Sequence, residues 1–70
     1  MTAKDMIAVL ERLGFWFSRQ SGSHKIYINR VGKRATVPYH SGTILHPKIV
    51  KRIMDDAELK VEKLLELTGK

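Results

Sequence analysis

At Gly14 the spacing of apolar residues changes from a helical period to a strand period, and near Pro47 it changes back. Before Gly14, Met6, Val9, Leu10 and Leu13 fall at i, i+3, i+4 and i+7, which predicts an amphipathic helix. Thr2 followed by Asp5 resembles a capping box at its start, and Gly14 supplies the stop. Beyond it a first strand is expected from Phe15 to Gln20, a connection at Ser21-Gly22-Ser23, and a second strand from Lys25 to Asn29. Val31-Gly32-Lys33 reads as a turn into a third strand, Arg34 to Val37, which Pro38 ends or confines to an edge. Tyr39 to Leu45 reads as a loop turning at Ser41-Gly42-Thr43, and Pro47 suits the first position of a helix. Its buried stripe is Ile49, Val50, Ile53, Met54 and Ala57, continued by Val61, Leu64 and Leu65. Residues 47–67 therefore form one helix or two separated near Asp55 to Leu59. The expected class is α+β: helix, three antiparallel strands in a meander, helix, with a further C-terminal helix if the stripe breaks. The helices pack on one sheet face, and the other faces solvent or a ligand.

Seventy residues leave room for one small domain, 1–70, and exclude large catalytic scaffolds. A composition 43% hydrophobic and 29% charged is too apolar for a disordered basic tail. There is no cysteine to staple the fold or ligate a metal. No apolar run suggests a membrane span and no leader pattern suggests export, so the cytoplasm is the expected compartment.

Charge is segregated along the chain. The net charge is +6, yet no acidic residue lies between Arg12 and Met54, where Arg12, Arg19, Lys25, Arg30, Lys33, Arg34, Lys48, Lys51 and Arg52 carry nine positive charges. Solubilising surfaces usually mix the two signs, so this pattern favours a polyanionic partner, and nucleic acid before others.

His24 follows Gly22-Ser23 at the lip of the hairpin, with Arg19 and Lys25 nearby and Lys33 or Arg34 across the strands. An imidazole exchanges protons near neutrality, and surrounding cations favour its neutral, base-competent form. RNA is the substrate that needs a base and positive charge together: its 2′-hydroxyl, once deprotonated, attacks the adjacent phosphate while cations hold the developing charge, without a metal. A plain surface histidine in a turn fits the same residues, and strict alternation sets His24 on the face of Ile26 and Ile28. His24, His40 and His46 match no metal-ligand spacing, so no metal or other cofactor is expected. His40 and His46 read as loop and helix-start residues. Ser21, Ser23 and Ser41 lack an acid that could complete a nucleophilic triad. Phe15, Phe17 and one face of Trp16 are assigned to packing; Tyr27 and Tyr39 are equally suited to packing or to stacking on bases. Lys48, Lys51 and Arg52 are read on the polar side of the last helix, as a phosphate-contacting face or an ordinary solvated one.

Leu13-Gly14-Phe15, Arg19-Gln20-Ser21-Gly22-Ser23-His24, Val37-Pro38-Tyr39-His40 and Ile53-Met54-Asp55-Asp56-Ala57 together resemble the HicA family of toxins, in order and spacing, from about Ala3 to Leu59. The resemblance implies a fold like a double-stranded-RNA-binding domain and an endoribonuclease acting on messenger RNA, held in check by a HicB-like antitoxin. It implies that His24, in the Gly-Ser-His motif, is the catalytic residue. Two positions depart from the family pattern. His46-Pro47-Lys48 stands where a Gly-Thr pair usually opens the second helix, which suggests a shifted start. Glu58 stands where a glycine follows the alanine, which favours a longer or less sharply broken C-terminal helix. The resulting expectation is RNA cleavage by His24 as general base or acid, with Arg19, Ser23, Lys25, Lys33 and Arg34 contacting the RNA. The alternative is a non-catalytic RNA-binding module of the same fold; a third reading, a protein-interaction domain with incidental charge, predicts no salt-sensitive RNA affinity.

Overall fold

The computed structural model describes residues 1–39 and 44–67. In chain order the elements are α1 (Ala3–Arg12), β1 (Trp16–Ser21), β2 (His24–Ile28), β3 (Arg34–Pro38), α2 (Pro47–Asp56) and α3 (Val61–Leu67). The α+β class and the antiparallel meander, in strand order β1-β2-β3, are as expected. The turn expected at Ser41-Gly42-Thr43 and the loop position of His40 lie outside the described residues.

The helix α1 opens on a capping box. Thr2 Oγ1 accepts from the Asp5 N–H, and Asp5 Oδ2 accepts from the Thr2 N–H, both at 3.1 Å. The Thr2 backbone N–H first, and then the Thr2 side chain, hold the Asp5 carboxyl below its ordinary range. At the other end Gly14, at φ +100°, lets Phe15 N–H reach the Leu10 carbonyl at 2.9 Å and Gly14 N–H reach that of Glu11 at 3.1 Å, a Schellman motif that buries Phe15.

The C-terminal stripe forms two helices, and the break repeats the same motif with a different residue. Leu59 N–H reaches the Met54 carbonyl at 2.7 Å and Glu58 N–H that of Asp55 at 3.1 Å, with Glu58 itself at φ +54°. The expectation that Glu58 would prolong the helix is therefore corrected: Glu58 adopts the left-handed conformation a glycine would take, and Leu59 is buried as Phe15 is. At the start of α2, His46 is the cap; its Nδ1 accepts from the Lys48 N–H at 3.0 Å, and Pro47 occupies the first turn.

Cross-strand pairing sorts the sheet into two faces. One carries Phe17, Gln20, Lys25, Tyr27, Ala35 and Val37, and its centre is the core: Tyr27, Ala35 and Val37 pack with Met6, Val9 and Leu10 of α1 and Ile53 of α2. Tyr27 is thus a core residue, and burial, then the negative charge of Glu11, pushes its phenol pKa up. Both α1 and α2 pack against β3 while β1 is left uncovered. For that reason Phe17, expected to pack, is 48% exposed, and Trp16, with one face expected to pack, is 48% exposed as well; the Phe17 and Tyr27 rings meet edge to face with centroids 5.8 Å apart. The Arg12 guanidinium donates to the Leu67 carbonyl and ties α3 to α1. No helix among the described residues is long and apolar enough to cross a membrane.

Candidate active site

The β1–β2 connection is two residues long. Gly22, at φ +58°, takes the first position, the pattern of a type II′ turn, which matches the twist of the strands it joins. Gln20 Nε2 donates to the Gly22 carbonyl at 2.9 Å, and Tyr39 N–H donates to that of Ser23 at 2.6 Å, fixing the turn from both sides. His24, the first residue of β2, pairs with Ser21 on one side and Pro38 on the other.

Strict alternation along β1 puts Arg19 on the core side. The strand instead carries a bulge: Phe17 pairs with Tyr27 and Arg19 with Ile26, leaving Ser18 as the extra residue. Beyond the bulge Arg19 and Ser21 share the face of Ile26 and His24, together with Trp16, Ile28, Arg34, Thr36 and Pro38. His24 is exposed on this face.

A cleft of about 270 Å³ lies at the free edge of β3, where this face meets α2. His24, Thr36 and Pro38 line it from the sheet, and Ile49, Arg52, Ile53 and Asp56 from the helix. Among the described residues, the side chains of His24, Arg52 and Asp56 take part in no ion pair or hydrogen bond. The reading of Arg52 as pointing away from Ile49 and Ile53 is corrected, because positions 49, 52, 53 and 56 form one i, i+3, i+4, i+7 line. That line was visible in the sequence. The approach of Asp56 to His24 was not, since it depends on how α2 docks.

The other expected RNA contacts divide. Arg19 and Arg34 are exposed on the His24 face, although Arg34, paired with Ile28, lies four residues along β3 from the end at His24, roughly 13 Å away. Lys25 lies on the opposite face, where its Nζ sits 4.0 Å from the centre of the Tyr39 ring. Lys33 is corrected to the far end of the β2–β3 hairpin, where it pairs with Glu58 at 2.5 Å. Ser23 lies in the turn beside His24, its carbonyl taken by Tyr39. Lys51 leaves the expected cation cluster to pair with Asp55 at 3.7 Å.

A three-stranded α+β fold whose exposed histidine and arginines share one sheet face defines a small basic domain. Residues 3–59 match the family model described as HicA toxin of bacterial toxin-antitoxin, and the chain belongs to that family. It is accordingly the toxin of a toxin–antitoxin system, with an antitoxin as partner. No curated protein matches the chain.

Proposed function

We propose that this toxin is a metal-independent endoribonuclease that cleaves messenger RNA in the cytoplasm, acting as a single domain of residues 1–70. His24 is its catalytic residue, as general base or acid, and a HicB-like antitoxin restrains it in the resting cell. The observation that carries this reading is an exposed imidazole lining a cleft with an arginine, both without a side-chain partner among the described residues. The guanidinium is a permanent cation with a planar fork suited to phosphate oxygens, and the imidazole exchanges the proton. Attack by the RNA's own 2′-hydroxyl needs no activated water and so no metal. Arg19 and Arg34 share the sheet face of His24, Ser23 lies in the turn beside it, and Trp16 offers a stacking surface on the same face.

Purified wild-type and His24→Ala protein incubated in chelator with mixed-sequence RNA, followed on a denaturing gel, test this reading. Wild type is expected to cleave and His24→Ala to bind without cleaving. Binding without cleavage by either would establish the non-catalytic RNA-binding module instead.

A further inference from the structure

We propose that Asp56 is the second proton-handling group of the His24 cleft: it takes the proton from the attacking 2′-hydroxyl, and His24 gives one to the leaving 5′-oxygen. This rests on the ribonuclease reading above. Breaking a phosphodiester by internal attack requires a base at one oxygen and an acid at the other, and one histidine supplies one of these. Among the described residues, the charged and titratable side chains facing the cleft are His24 from β2 and Arg52 and Asp56 from α2; β3 contributes Thr36 and Pro38, and the remaining helix positions are Ile49 and Ile53. A guanidinium is not a proton carrier, so among the described residues Asp56 is the group able to exchange a proton opposite His24.

Chemistry assigns the roles. An ionised carboxylate has no proton to give and is therefore the base, while an imidazolium both attracts the phosphate and donates. In the step, the 2′-O–H bond breaks with its proton passing to the Asp56 carboxylate, and the 2′-oxygen bonds to phosphorus. The bond from phosphorus to the 5′-oxygen breaks as that oxygen takes the His24 proton. The products are a 2′,3′-cyclic phosphate and a 5′-hydroxyl, and solvent returns both groups to their starting protonation. Arg52, one helical turn before Asp56, lies where it can hold the non-bridging oxygens. The neighbouring Asp55 pairs with Lys51, a residue absent from this cleft, so the two adjacent carboxylates have separate roles.

The test is the pH dependence of kcat and KM on a short RNA in chelator for wild type, Asp56→Asn, Asp56→Glu and His24→Ala, each checked for folding by circular dichroism. Asp56→Asn is expected to lower kcat by roughly 10²–10⁴-fold at unchanged KM and to lose the fall in rate on the acid side, with Asp56→Glu recovering part of the rate. A folded Asp56→Asn that cleaves as wild type does, or that keeps the acid-side fall, overturns the proposal and leaves the ribonuclease reading standing. Wild type that leaves the RNA intact overturns both.

Discussion

Glu58 holds the left-handed conformation that Gly14 holds in the equivalent place at the end of α1. For a residue with a Cβ this costs about 1–2 kcal/mol. Burial of Leu59 immediately after it returns about 1.5–3 kcal/mol, so the turn forms in spite of the residue that makes it. That balance is why the sequence misleads at this point: the absent glycine argues for a continuous helix, while the deciding term is a leucine whose burial only the packed molecule reveals. Glu58→Gly is expected to be more stable than Glu58→Ala by about 1 kcal/mol in urea unfolding. Both lose the exposed Lys33 ion pair, itself worth about 0–1 kcal/mol, so their difference isolates the backbone. Equal midpoints would show that position 58 bears no such cost.

Among the elements, α1 was the most legible, because its apolar spacing, its capping box and its glycine stop all agree, and each is a local signal. β1 was the least. Ser18 carries no mark of a bulge, yet the bulge decides that Arg19 accompanies His24, whereas Lys25, next to His24 along β2, takes the opposite face by alternation alone. The two cations should consequently behave differently in RNA binding. Arg19→Ala is expected to weaken affinity and to reduce the slope of log K against log salt by about one, as loss of one phosphate contact does. Lys25→Ala should leave the slope unchanged. Salt titrations of both variants give the answer, and equal effects would contradict the assignment of faces.

Across the whole molecule, charge separated along the chain is not charge separated in space. Folding carries Glu58 to Lys33 and Asp56 into the cleft with His24, so the acid-free stretch ends up met by acids from beyond it. The basic character of the sequence was legible; which of its cations stay unpaired depended on helix docking and strand register. The core has a pH signature of its own. The buried Tyr27 phenol titrates above its ordinary value of 10.0, so the folded state binds more protons than the unfolded chain once the pH passes that value. The stability contributed by this phenol is fully present below pH 10 and is lost as the pH rises through the raised Tyr27 value. Urea unfolding across this range should show a steeper alkaline loss for wild type than for Tyr27→Phe, and parallel curves would argue that the phenol is not linked to folding.

The sheet has two lateral borders, and they are guarded differently. Along β3, Pro38 has no N–H to offer and α2 packs against the strand. Along β1 the backbone is open to any extended chain that could add to it. What spoils that template is the kink at Ser18 and the charge of Arg19, both unfavourable to a flat, repeating neighbour. One extra serine thus has two unrelated consequences: it sets an arginine on the face of His24, and it disfavours edge-to-edge addition along β1.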